Sequence, residues 1–216
     1  MKNTVDNCRG LFPLFTLALV LAVPGGIQAQ PPDLTTEDLS TLVTTYNYNL
    51  GPTGMRGWML SDSHPALGTI TAGSWQILVV GVGAGTPAAG LMASNDVILG
   101  VSAGAGTPVT AWTYSATNDV RKSLGWAIGA AEASDGKLNL KRWRAGVTTD
   151  VTLQLQILGA YSPTAPYHCP KSAIILSNAC NRIANKSFNA GAPGDPVLGL
   201  ALLASGNTNY LSKVRT

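Results

Sequence analysis

The chain has 216 residues, of which 45% are hydrophobic and 12% are charged, and this composition excludes an intrinsically disordered protein. Its formal charge of +3 comes from scattered basic residues, which excludes the clustered basic face of a nucleic-acid-binding protein. A chain of this length holds one or two domains.

Residues 1–29 have the pattern of a secretory signal peptide. Lys2 and Arg9 make the start positive, residues 11–23 form an apolar run, and Ala29 ends a suitable cleavage site. The run is shorter than the about 20 apolar residues that span a bilayer. We therefore expect an exported protein, periplasmic or extracellular after cleavage near Ala29, with no membrane contact beyond this segment. An uncleaved membrane anchor is the alternative.

A helix, a loop and a strand are predicted after the cleavage site. Residues 33–46 predict a short helix, because Thr35 or Thr36 can cap it and acidic residues follow in its first turn. Residues 49–54 are rich in Gly and Pro and predict a loop. Residues 56–60 then predict a short strand.

Two buried strands and a long helix follow. The apolar runs at residues 76–82 and 96–101 contain branched residues and are bordered by Gly and Pro, which favours strands. Residues 118–132 have apolar positions at helical spacing. Thr117 or Asn118 can serve as the N-cap of this helix.

A β-hairpin is predicted next, with Ala145 and Gly146 as its turn. Residues 137–144 form the first arm, and residues 151–157 alternate between apolar and polar side chains, as a strand with one buried face does. Residues 141–144 break the alternation, so we expect a bulge or an exposed strand end there.

The periodicity becomes helical beyond the hairpin. Residues 159–170 predict a linker, and helices are predicted at residues 171–184, at 196–204 and from 207 onward. Three short helices bury too little apolar surface for an independent domain. We therefore expect residues 171–216 to be the start of a truncated α-helical domain.

Cys169 and Cys180 are the two cysteines that remain after signal cleavage. A cysteine pair in an exported protein suggests a disulfide. On one continuous helix, however, the two residues lie about 16 Å apart along the axis, whereas a disulfide needs Cα atoms within about 7 Å. We expect two reduced, buried cysteines.

Two sequence strings in the β-rich part are similar to those of a known domain. Gly-Thr-Pro-Ala-Ala-Gly-Leu at residues 85–91 looks like the short helix of PDZ domains, and Asn-Asp-Val-Ile-Leu-Gly-Val at residues 95–101 looks like the strand after it. Asn95 stands where Gly is usual, and Asn tolerates the left-handed backbone expected there. Residues 54–158 therefore resemble a PDZ domain in the strand order of bacterial exported proteins. The resemblance implies an α+β fold, a partly open β-barrel or sandwich with two helices.

The chain from residue 33 to its end also resembles an uncharacterised bacterial exported family. The strings at residues 51–58, 161–167 and 169–172 carry this resemblance. In that family a PDZ-like module precedes an α-helical toroid similar to terpene cyclases and prenyltransferases. The implied layout is an N-terminal helix and loop at residues 30–53, the module, the linker and the helical domain.

The PDZ resemblance also implies a binding site. PDZ domains add an extended peptide as a strand to an open sheet edge, and a loop of backbone N–H groups receives the peptide's carboxylate. The matching positions are Met55, Arg56 and Gly57 in the loop, Trp58, Met59 and Leu60 in the edge strand, and Val120, Arg121 and Leu124 on the facing helix. The implied partner is a protein or peptide C-terminus, or an internal extended segment. The alternative is that Val120 and Leu124 are plain core residues and Arg56 is a solvated surface charge.

No catalytic constellation stands out in the sequence. His64 and His168 are the two histidines of the chain, and nothing activates a particular serine beside them. Cys169 next to His168 suggests a metal ligand or a nucleophile, but too few ligand residues accompany them. We expect no catalytic residue, no metal and no cofactor. The function is then a peptide-binding module or, alternatively, the targeting front end of an exported α-toroid enzyme whose catalytic part is missing from this chain.

Overall fold

The fold is known from a computed structural model. It describes four stretches of the chain, residues 33–59, 75–114, 119–188 and 194–215. The expected signal peptide, Leu60 of the expected edge strand and His64 lie outside these stretches.

A six-stranded antiparallel sheet forms the centre of the molecule, and its strands are ordered as they follow along the chain. The strands are β1 (Tyr48–Asn49), β2 (Met55–Trp58), β3 (Ile77–Val82), β4 (Val97–Ala103), β5 (Lys137–Arg144) and β6 (Val147–Gln154). The sheet is open, and together with the helices it confirms the α+β class. The expected short helix at residues 85–91 consists of hydrogen-bonded turns instead.

Four α-helices complete the described stretches: α1 (Val120–Ala133), α2 (Pro170–Ala184), α3 (Asp195–Ala204) and α4 (Leu211–Val214). Asp119 is the N-cap of helix α1, and its carboxylate accepts a hydrogen bond from the Lys122 N–H at 3.2 Å. The expected caps, Thr117 and Asn118, lie outside the described stretches. Pro170 opens α2, because a residue at the first helical position needs no N–H.

The predicted helix at residues 33–46 is wrong. A turn follows Asp33, and a single 3₁₀ helix covers Leu39–Thr41. The carboxylates of Asp33 and Asp38 accept hydrogen bonds from the N–H groups two residues later, at 2.9 and 3.0 Å. Such local bonds compete with an α-helix for the backbone donors.

The predicted irregularity in the hairpin lies on another strand. β5 pairs with β6 without interruption from Lys137 to Arg144, around the predicted Ala145–Gly146 turn. The register shifts instead in β4, between Ile98 and Gly100. β5 stays regular because its polar side chains have partners across the sheet, such as Lys141 with Asp150 at 2.6 Å.

Apolar side chains cover both faces of the sheet. The larger cluster lies between the sheet and α1 and includes Met55, Ile77 and Leu124. The smaller cluster lies on the opposite face, where Leu34 packs against Trp58 and neighbouring strands. The N-terminal segment therefore closes one face of the sheet and α1 closes the other.

The C-terminal helices extend the fold beyond the hairpin. Helices α2 and α3 pack together, and α4 packs on α3. Both Cys169 and Cys180 are buried and free, as expected. In the described stretches, no helix combines the length and the apolar character needed to cross a membrane.

Candidate functional site

The glycine-rich loop before β2 is a tight, fixed turn. Gly51–Thr53 form a 3₁₀ helix, and Gly54 ends it with φ of +77°. A side chain at Gly54 would place its Cβ 2.1 Å from the Cβ of Thr86. The carbonyls of Thr53 and Gly54 accept hydrogen bonds from Ala88 and Gly83 at 3.1 and 2.9 Å. The loop is thus held against the turn that follows β3.

The outer side of β2 is covered at Arg56 and Gly57. These two residues and Met55 were expected in the loop, but they lie in strand β2, and the expected edge strand began only at Trp58. β1 pairs with β2 antiparallel, with Tyr48 opposite Gly57 and Asn49 opposite Arg56. The Leu50 N–H donates to the Met55 carbonyl at 3.0 Å and closes this short hairpin. The sequence does not show β1, because a two-residue strand has no measurable periodicity.

The segment from Tyr48 to Leu50 runs toward the glycine-rich loop and ends in a buried side chain. Leu50 is 6% exposed and belongs to the apolar cluster between the sheet and α1. A Cβ at Gly57 would lie 2.8 Å from a methyl group of Leu50. The small Gly57 therefore makes room for an apolar side chain that arrives along the edge of β2.

The sequence-predicted site residues do not form one surface. Met55, Met59, Val120 and Leu124 are buried in the cluster beneath α1, and Trp58 is buried on the opposite face of the sheet. These four residues of the larger cluster occupy core positions, which was the alternative for Val120 and Leu124.

The two predicted arginines have partners near them in the chain. Arg121 is exposed, and its Nη2 lies 3.4 Å from Oδ2 of Asp119. Arg56 donates through Nε to the Asn47 side-chain oxygen and through Nη2 to the Asn47 carbonyl, the latter at 3.1 Å. Arg56 therefore fastens the segment that leads into β1.

A cleft of about 670 Å³ opens beside the glycine-rich loop. Gly51 and Gly54 line it together with Thr86, Arg56 and Arg182. Arg182 comes from the last turn of α2. Sequence reasoning missed this residue, because only the packing of α2 brings it to a loop more than a hundred positions earlier in the chain.

A second cleft, of about 520 Å³, separates α1 from α2. Arg182 and Pro52 line both clefts. At the wall of the second cleft, Lys171 Nζ lies 2.6 Å from a Glu132 carboxylate oxygen, and both side chains are buried. The same ammonium group stands 4.4 Å from the centre of the Tyr161 ring. This ion pair anchors the first turn of α2 to the end of α1.

Cys169 is the chemically distinctive residue of the linker. It is the N-cap of α2 and 4% exposed. The Ser172 hydroxyl lowers the pKa of the Cys169 thiol most, and the backbone N–H groups of Ser162 and Ser172 add to this, so the pKa falls to about 6. The Ser162 backbone nitrogen lies 3.4 Å from the sulfur.

No cluster of three or more metal-ligating side chains occurs in the described stretches.

Comparison with protein-family models, curated proteins and solved structures finds no match to this chain.

Proposed function

We propose that this protein is a PDZ-like binding module that takes up an extended peptide or protein segment as an added strand along β2. The ligand replaces β1, which moves aside. One observation carries the proposal: the chain's own Tyr48–Leu50 segment lies antiparallel on β2 and buries an apolar side chain beside the glycine-rich loop. This is the arrangement that a strand-adding ligand adopts.

The energetics allow such a replacement. β1 has two residues, both exposed, and a net contribution of about 1 kcal/mol is typical for each hydrogen bond lost. Withdrawing Leu50 from the core costs about 1.5–3 kcal/mol. A ligand with its own apolar side chain restores the hydrogen bonds to β2 and refills the space left by Leu50. Replacing β1 by such a ligand therefore costs little free energy.

Export belongs to the same proposal. The signal-like residues 1–29 direct the module out of the cytoplasm. Its ligand is an exposed end or loop of another protein in the same exported compartment. This assignment supports a role in protein–protein interaction and needs no catalytic group.

A second function is favoured by the C-terminal helices. Val197 and Leu200 of α3 are each 64% exposed, and Leu203 is 46% exposed. Exposed apolar side chains on one helix suit packing against further helices. The module would then be the targeting front end of an exported α-toroid enzyme.

Titration with a short peptide that has a hydrophobic C-terminal residue tests the peptide-binding proposal. We expect the NMR resonances of Gly57 and Trp58 to shift. The Tyr48→Pro variant lacks the N–H of the β1 residue opposite Gly57, so β1 competes less well with the peptide for β2. If β1 pairing costs the ligand about 1.4 kcal/mol, this variant should bind the peptide about tenfold more tightly than the wild type.

Val43→Pro is the matched control, since Val43 precedes β1 and is 52% exposed. It should bind like the wild type. The absence of any resonance shift in both the wild type and Tyr48→Pro would reject strand addition at β2.

A further inference from the structure

The cleft beside the glycine-rich loop begins where β1 ends. Asn49, the last residue of β1, lines the cleft together with Gly51. A ligand that takes the place of β1, as proposed above, therefore brings its C-terminal end into this cleft. The inference that follows rests on that proposed function.

The charges around the cleft are both positive. Arg56 and Arg182 line it, and no Asp or Glu of the described residues does. Arg56 already uses Nε and Nη2 to hold Asn47. Arg182 is exposed at the far end of α2, where it faces the glycine-rich loop across the cleft. Of the two arginines, Arg182 is the one placed to meet a ligand.

The position of Arg182 is set by the docking of α2. The buried Lys171–Glu132 ion pair fixes the first turn of the helix to α1. Arg182 lies about three helical turns farther along the same helix. A cation that is held by a long, anchored helix has a defined place relative to the loop. Through Arg182, α2 therefore contributes to the wall of the cleft.

We propose that Arg182 binds the terminal carboxylate of the peptide ligand and selects ligands with a free C-terminus. A guanidinium group matches a carboxylate through two parallel hydrogen bonds. The N–H groups of Gly51 and Gly54, which line the same cleft, already donate to the Asn49 side chain and to the Gly51 carbonyl, so the positive charge for a carboxylate comes from the side chain of Arg182. The helical segment thereby completes a site that the sheet alone provides only in part.

The test uses the full chain and one hydrophobic peptide in two forms, with a free C-terminal carboxylate and with a C-terminal amide. Arg182→Gln should weaken binding of the free acid at least tenfold, because a hydrogen-bonded charge pair is lost. Binding of the amide should not change between the wild type and Arg182→Gln. Arg215→Gln, which removes the same charge from an exposed residue after α4, should leave both affinities unchanged.

The outcomes separate this inference from the proposed function. Equal binding of the free acid by wild type and Arg182→Gln, with edge-strand resonances still shifting, would overturn the role of Arg182 and leave strand addition standing. A third peptide ends in Glu and carries a C-terminal amide. If Arg182→Gln weakened binding of this peptide as much as binding of the free acid, Arg182 would recognise any carboxylate, and selection for a free C-terminus would be refuted. If neither peptide form bound the wild type, the proposed function and this inference would fall together.

Discussion

Individual residues in this protein are explained partly by their neighbours in the chain and partly by remote partners. Asn95 was expected to tolerate a left-handed backbone, and its φ of +71° confirms this. Asp96 follows it and is buried at the start of β4. Arg144 binds both oxygens of Asp96, at 2.6 and 2.7 Å, and this bond raises the pKa of the guanidinium. The backbone preference is local, whereas the ion pair joins residues 48 positions apart.

Cys169 gives the first prediction at this scale. Because its pKa is about 6 instead of the ordinary 9.0, the thiolate should predominate at neutral pH. A pKa that folding lowers contributes stability that is complete above the unfolded-state pKa near 9 and is lost as the pH falls through about 6. Ultraviolet absorbance of the thiolate, recorded against pH, measures the folded-state pKa directly.

The cysteine variants provide the control for that titration. Cys180→Ser should keep the transition near pH 6, and Cys169→Ser should abolish it. In residues 30–216 carrying Cys180→Ser, Cys169 is the single cysteine. A thiol that titrated near 9 in this variant would show that the Ser172 and Ser162 donors do not stabilise the thiolate.

At the scale of elements, the hairpin of β1, the glycine-rich loop and β2 matters most for the site. The sequence predicts the loop at residues 49–54, because Gly and Pro punctuate it. It does not predict that Tyr48 and Asn49 pair with β2. That pairing depends on Gly57, where a side chain would collide with Leu50 and Ile77. The occupied edge of β2 is therefore a property of the assembled hairpin.

Substitution of loop glycines tests how tightly this hairpin is held. Gly54→Ala should lower the free energy of unfolding by about 3 kcal/mol, because it adds a collision with Thr86 to the cost of positive φ. Gly85→Ala is the matched control: its φ is +68° but nothing lies within 4 Å of an added Cβ. It should lose only about 1 kcal/mol.

Urea denaturation measures both losses. Equal losses for the two variants would mean that the loop moves away from Thr86 at little cost. The glycine-rich loop would then be a pliable element instead of a fixed one.

For the whole molecule, the decisive contact is the one that joins the C-terminal helices to α1. Lys171 and Glu132 are both buried, so each charge depends on the other. The carbonyl of Glu132 also accepts hydrogen bonds from Leu158 and Gly159, both at 2.9 Å. The end of α1 therefore contacts two other parts of the chain. Its Glu132 carbonyl binds the segment that follows the sheet, and its Glu132 carboxylate binds the start of α2.

Removing one partner of this pair should be costly, and removing both should not. Lys171→Met leaves a buried, unpaired carboxylate and should cost about 3–5 kcal/mol of unfolding free energy, or expose the α2 amides to hydrogen exchange. Lys171→Met with Glu132→Met should recover most of this loss, because apolar side chains can replace a buried ion pair.

The surface pair of Arg121 with Asp119 serves as the control. Its N–O distance is 3.4 Å and its arginine side chain is 58% exposed, so Arg121→Met should cost less than about 1 kcal/mol. Additive losses for the two substitutions at Lys171 and Glu132 would show that the pair does not couple α2 to α1.

The sequence by itself determined the elements whose signal lies within one segment. Period-two alternation, helical spacing and turn residues are local properties, and they predicted β3 to β5, α1, α2 and the Ala145–Gly146 turn with small shifts at their ends. Helix prediction failed at residues 33–46, because Asp33 accepts a hydrogen bond from the Thr35 N–H within a turn and Asp38 caps only the short 3₁₀ helix Leu39–Thr41.

Only the tertiary structure decided which elements meet. It covered the edge of β2 with β1, buried Val120 and Leu124 in the core, and brought Arg182 to the glycine-rich loop. The reason is physical: periodicity shows which face of a helix or strand is apolar, but it does not show which distant element packs against that face.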